Sequence, residues 1–171
     1  MKTIESKQFS LPSNADQLPC FIEKIMNDFI LLNNFPETTL FSIKWILTEL
    51  STNAYKHALA EKTELTVTID ASTVSITKTD KGNPPPFYLL SKQVNGQRIN
   101  IYGCSSNPLF AEKRKDGVLY FSEELITVET IDIESFCEHF GLLIVTRSSN
   151  EFTFFRDEKE QANIFKAVIN Y

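Results

Sequence analysis

Thr48-Glu49-Leu50-Ser51-Thr52-Asn53-Ala54-Tyr55-Lys56-His57-Ala58 is the stretch on which the reading of this sequence turns. It lies within a helical repeat of apolar residues, Leu40, Ile43, Leu47, Leu50, Ala54 and Ala58, which predicts a helix from about Glu37 to Ala60. At 3.6 residues per turn, Glu49, Asn53 and Lys56 fall along one face with His57 at its edge. Leu50, Ala54 and Ala58 fall on a neighbouring face that would pack inward. A carboxylate, an amide, an ammonium and an imidazole on one side of such a helix form either a solvated polar face or one wall of a cleft. The stretch alone leaves both open.

Upstream, Leu18, Phe21, Ile22, Ile25, Met26 and Phe29 recur at helical spacing and predict a helix to about Leu32. Ser13 and Asp16 stand at capping-box spacing before it, and Pro19 falls where a first turn tolerates proline. A strand is expected over Thr3 to Ser10, and Asn33-Asn34-Phe35-Pro36 forms a turn. Downstream the period changes to two. Leu65, Val67 and Ile69 alternate with polar residues, and Val74 and Ile76 follow Ala71-Ser72-Thr73, a pattern for an antiparallel hairpin with one buried face. Lys81-Gly82-Asn83-Pro84-Pro85-Pro86 then breaks regular structure. Between residues 80 and 130 only Gly117–Phe121 and Ile126–Val128 suggest strands within loop. A helix is expected over Glu134 to Thr146, a strand over Glu151 to Arg156 with Phe152 and Phe154 on one side, and a terminal helix over Lys159 to Ile169.

The 171 residues are enough for one domain, and 42% apolar with 23% charged residues excludes disorder over most of the chain. A net charge of −5 disfavours a phosphate backbone as partner, since the one basic cluster is Lys113-Arg114-Lys115. The expected partners therefore exclude nucleic acid. They also exclude a membrane, because no run approaches the roughly 18 apolar residues of a span and the first residues lack a signal-peptide core. Cys20, Cys104 and Cys137 are odd in number and far apart, which suits reduced thiols and a cytoplasmic location.

Two further positions carry chemistry. Asp80, with Gly82 two residues on, stands where the hairpin ends. An aspartate there can accept a hydrogen bond from an exocyclic amine, and glycine lets backbone approach a planar ligand; a plain Asp-x-Gly turn is the other reading. Gly141, at the start of the apolar run Leu142-Leu143-Ile144-Val145, would let a helix start hold phosphate, or would simply allow close packing.

Taken in order, Glu-x-x-x-Asn-Ala-x-Lys-His on a helix, a hairpin, Asp-x-Gly and a glycine-led helix resemble the histidine-kinase-like ATPase superfamily, which includes gyrase and the histidine kinases. The branch it most resembles is the small anti-sigma-factor serine kinases, and the resemblance runs from about Thr3 to Asp157. It implies an α/β (α+β) two-layer sandwich of the Bergerat ATP-binding type: a mixed, mainly antiparallel sheet with helices on one face. Residues 1–171 would form one such domain, with a lid or insertion enlarged to about 83–138.

The resemblance also implies ATP and Mg²⁺ as cofactors. Glu49 would polarise the attacking hydroxyl or water, and Asn53 would ligate Mg²⁺. Asp80 would take the adenine amine with Gly82 beside the ring. Gly141 and Leu142 would border the phosphates, with Lys56 and His57 reaching them. Asn150 stands where the family has a threonine near the adenine. The implied activity is serine/threonine protein kinase or weak ATPase, with a sigma factor or anti-sigma antagonist as protein partner and the apolar first helix as a candidate homodimer face. The chain departs from the pattern at Asn83-Pro84-Pro85-Pro86 and at His139, where the family has glycines. Those departures motivate the alternative of a non-catalytic ATPase-fold domain that binds a protein partner.

Overall fold

The computed structural model describes residues 4–58, 62–93, 98–102, 108–124 and 140–171. Strand β1 (Glu5–Ser10) leads into a 3-10 turn at Ala15–Gln17 and helix α1 (Leu18–Ile25). Asn14, rather than Ser13, caps that turn: its Oδ1 accepts the Asp16 N–H at 2.9 Å. Pro19 sits in the first turn of α1, as its missing N–H permits. A π-helical turn (Met26–Ile30) and a 3-10 turn (Leu31–Asn33) prolong α1, and Asn34 closes it in the left-handed region at φ 43°.

Helix α2 (Glu37–Asn53) then runs through the core and passes into a π-helical turn at Ala54–Ala58. Strands β2 (Thr63–Ile69) and β3 (Thr73–Asp80) form the expected hairpin. Beyond the prolines come α3 (Pro86–Gln93), β4 (Arg98–Tyr102), β5 (Leu109–Lys113) and β6 (Leu119–Glu123). Helix α4 (Phe140–Ser148), β7 (Glu151–Asp157) and β8 (Ala162–Asn170) complete the chain.

The described strands form one eight-stranded sheet in the order β1-β2-β3-β8-β7-β6-β5-β4. Every described pairing is antiparallel, so the expectation of a mixed sheet is corrected. The expected terminal helix over Lys159–Ile169 is corrected too: this segment is mostly β8. Its apolar residues satisfy both periods on a short view. Alternation decides, because Asn163, Phe165, Ala167 and Ile169 are buried while Lys166 and Asn170 are exposed. Only as a strand can β8 fill the sheet between β3 and β7, where it pairs along its length with both. The stretch expected to be mainly loop holds α3 and three strands. The helix expected from Glu134 begins at Phe140 among the described residues, and residues 134–139 and the strand expected at 126–128 lie outside them.

One sheet face carries the core. Leu65, Val67, Val74, Ile76, Phe152, Phe154, Ala167 and Ile169 are buried there against Ile43, Ile46, Leu47 and Leu50 of α2 and Leu143 and Val145 of α4. The other face shows the half-buried Thr66, Thr68, Ser75 and Thr77, as expected of an antiparallel sheet covered on one side. The result is an α+β arrangement of helices over an antiparallel sheet. The apolar residues of α1, Leu18, Ile22 and Ile25, are spent on this chain's own core. Exposed large apolar side chains include Leu31, Leu32, Phe41 and Trp45.

Candidate functional site

Antiparallel register makes the end of the sheet beneath α2 polar. Thr63, Asp80, Asn163 and Arg156 stand side by side on β2, β3, β8 and β7, and all four are buried. The next inward row on the same face is Leu65, Lys78, Phe165 and Phe154. Burying polar groups in this way requires partners, and they are present. Asp80 Oδ1 accepts the Gly82 N–H and the Asn163 Nδ2 amide, each at 2.9 Å. Asp80 Oδ2 is ion-paired with the Lys78 ammonium at 2.9 Å and has no aligned hydrogen bond among the described residues. The Asn163 amide also donates to the carbonyls of Gly82 and Asn83, and its Oδ1 accepts Arg156 Nη1 at 2.6 Å. Arg156 holds Gln161 Oε1 at 2.8 Å with its other nitrogen. Burial lowers the pKa of the Lys78 ammonium from its ordinary 10.5, and Asp80 opposes that shift.

The opposite wall comes from α2 and α4. Gly141, near the start of the described part of α4, lies against α2 so closely that a Cβ there would come within 2.6 Å of Glu49 Oε2 and 3.3 Å of Asn53 Oδ1. Glu49, Asn53 and Gly141 are thus brought together where α4 crosses α2. Desolvation raises the Glu49 pKa above 4.5, and the nearby Lys56 charge works against it. Asn53 Nδ2 is buried with no hydrogen-bond partner among the described residues. Lys56 and His57 fall in the π-helical turn directly after Asn53, a distortion that re-aims side chains and recurs at functional sites.

Between these walls lie two adjoining cavities. One, of about 220 Å³, is lined by Asn53, His57, Leu142 and the apolar Phe87, Leu90 and Ile101. The other, of about 340 Å³, is lined by Lys56, His57, Lys78, Asp80, Asn83 and Asn163. His57, Pro85, Pro86 and Phe165 belong to both, so Asn53 and Asp80 open onto one cleft. Two lysines against one aspartate make the larger cavity electropositive, a setting for an anionic ligand.

Of the residues expected at the site, Asn53, Lys56, His57, Asp80 and Leu142 line the cleft, and Glu49 and Gly141 abut Asn53. Gly82 is buried behind it, with its N–H on Asp80 and its carbonyl taken by Asn163 and Arg156. The placement of Asn150 near the adenine is corrected: it precedes β7 at the far end of the sheet, where its Oδ1 accepts the Asn170 N–H. The partner of Asp80 is Asn163, which the sequence reading missed together with Lys78 and Arg156. Parity could have found them. Lys78 continues the inward series Val74 and Ile76, and Asn163 shares the face of Phe165 and Ala167 once β8 is a strand. His139 lies outside the described residues. No family model matches the sequence, and no curated protein matches it significantly.

Proposed function

We propose that this chain binds ATP with Mg²⁺ across the cleft and acts as a regulatory protein resembling an anti-sigma factor or serine protein kinase. The observation that carries the reading is that Asn53 and Asp80, 27 positions apart on α2 and β3, open onto cavities with four walls in common. Adenine would lie among Pro85, Pro86 and Phe165 with its amine toward Asp80 Oδ2, and the phosphates would run toward Lys56, His57 and Asn53.

The residues at hand fit a magnesium-bound phosphate. Among the described residues no three His, Cys, Asp or Glu side chains form a metal-binding group, so the protein would offer the Asn53 amide, with Glu49 beside it. A hard cation that keeps water and phosphate oxygens in most positions needs no more. Asn53 Nδ2, buried without a hydrogen-bond partner among the described residues, would donate to a phosphate oxygen and leave Oδ1 to face the ion. When bound, the ion would neutralise charge on the transferring phosphoryl group. Glu49, whose raised pKa marks a readier proton acceptor, would take the proton of an attacking serine hydroxyl or water.

Calorimetric titration with ATP and Mg²⁺ on the wild type and Asp80→Asn tests the reading. Binding lost in the variant supports it; no heat with any adenine nucleotide overturns it. A second reading, a non-catalytic domain that recognises a protein partner, is favoured by one observation: Lys78 and Asn163 already occupy the Asp80 carboxylate. It expects intact folding and no nucleotide binding.

A further inference from the structure

Lys78 is a cation on the core face of a strand, with 3% of its surface exposed. Its stem lies in the same row as Phe165, whose ring centre is 4.7 Å from Nζ, and its ammonium reaches Asp80 Oδ2 at 2.9 Å. The ammonium is thereby ion-paired and set against an aromatic ring, and Lys78 itself lines the larger cavity. A buried ion pair is a poor device for stability alone, since two desolvated ions commonly add less than an apolar pair of the same volume. Its place on a ligand cavity gives it a use.

We propose that Lys78 is a specificity-determining residue that donates a hydrogen bond to the ring nitrogen N1 of adenine while Asp80 Oδ2 accepts from the neighbouring 6-amino group. This rests on the nucleotide reading above. The choice of base follows from the Asp80 carboxylate. Oδ1 already accepts two hydrogen bonds, from Gly82 and Asn163, whereas Oδ2 has the Lys78 ion pair but no hydrogen-bond partner among the described residues, which leaves it a lone pair for a ligand. One acceptor beside one donor matches the N6–H and N1 edge of adenine. Guanine offers an acceptor with two adjacent donors, N1–H and the 2-amine, and a monodentate carboxylate would leave one of them buried without a partner.

The test compares calorimetric affinities of the full chain for ATP, for ATP with N1 replaced by CH, and for ATP with N7 replaced by CH, all with Mg²⁺. The expected result is an affinity loss of about ten- to a hundredfold for the N1-substituted analogue, the range for a hydrogen bond to a charged group, and none for the N7-substituted control. In Lys78→Met the difference between ATP and the N1-substituted analogue should disappear. ATP bound as tightly as the N1-substituted analogue by the wild type overturns the Lys78 assignment and leaves the nucleotide reading standing. So does an N1 preference that survives in folded Lys78→Met. Absence of any ATP binding overturns both. The wild-type comparison needs no variant to fold.

Discussion

The two walls of the cleft are built on opposite principles. On the sheet side, Lys78, Asp80, Asn163 and Arg156 form a network in which nearly every polar atom has a partner. On the helix side, Glu49 is desolvated against Gly141 and the Asn53 amide has no partner among the described residues. A satisfied buried network holds the end of the sheet rigid, and breaking it is costly. An under-satisfied pair of helix side chains contributes little to folding. On the proposed reading the sheet wall would carry stability and recognition together, while the helix wall is separable from the fold.

Removing Asp80 should have the largest effect. Asp80→Ala leaves the Lys78 ammonium buried and unpaired, so stability should fall by about 3–5 kcal/mol in urea unfolding. Lys78→Met should cost less, because Oδ1 of the stranded carboxylate keeps Gly82 and Asn163. Equal, small losses from both would show that the network is not cooperative. Across the cleft, Asn53→Ala should leave stability within about 0.5 kcal/mol while sharply weakening Mg²⁺–ATP binding. A large loss of stability there would erase the contrast between the walls.

Titration separates the walls by sign. Glu49 holds its proton more tightly folded than unfolded, so its contribution to stability falls as pH rises from 4.5 into its raised range. Lys78 holds its proton less tightly folded, so its contribution rises with pH as pH climbs toward 10.5. Glu49→Gln should flatten the acid limb of a stability-against-pH curve and leave the alkaline limb alone. The smallest effect is expected from Gly141→Ala. The new Cβ meets the movable end of Glu49, and alanine favours a helix over glycine by about 1 kcal/mol, so stability should barely change while Glu49 is displaced. Phosphotransfer or ATP hydrolysis, assayed directly, should fall more than binding.

The helix wall was legible in the sequence for the same reason that it is separable: a helix writes its faces in local spacing. Glu49, Asn53, Lys56 and His57 could be placed together from eleven consecutive residues. The hairpin and Asp80 at its end were equally local. The rest of the sheet wall was not, because Asn163 reaches Asp80 through strand pairing across 83 positions, and that pairing exists only if the last segment is a strand. Read as a helix, Ala162–Asn170 scatters Asn163 and Phe165 away from the cleft. The proline run hid α3 for a related reason. Pro86 opens that helix, where a missing N–H costs nothing, but beside Pro84 and Pro85 it reads as a breaker.

The most direct test of the cleft is crystallographic: the chain soaked or grown with a non-hydrolysable ATP analogue and Mg²⁺. Density for the base against Phe165 and Asp80, with phosphates leading to Asn53 and Gly141, is the expected result. A clear structure with density only in the separate surface cavity near Tyr88, Lys113 and Lys159, or with none, would contradict it.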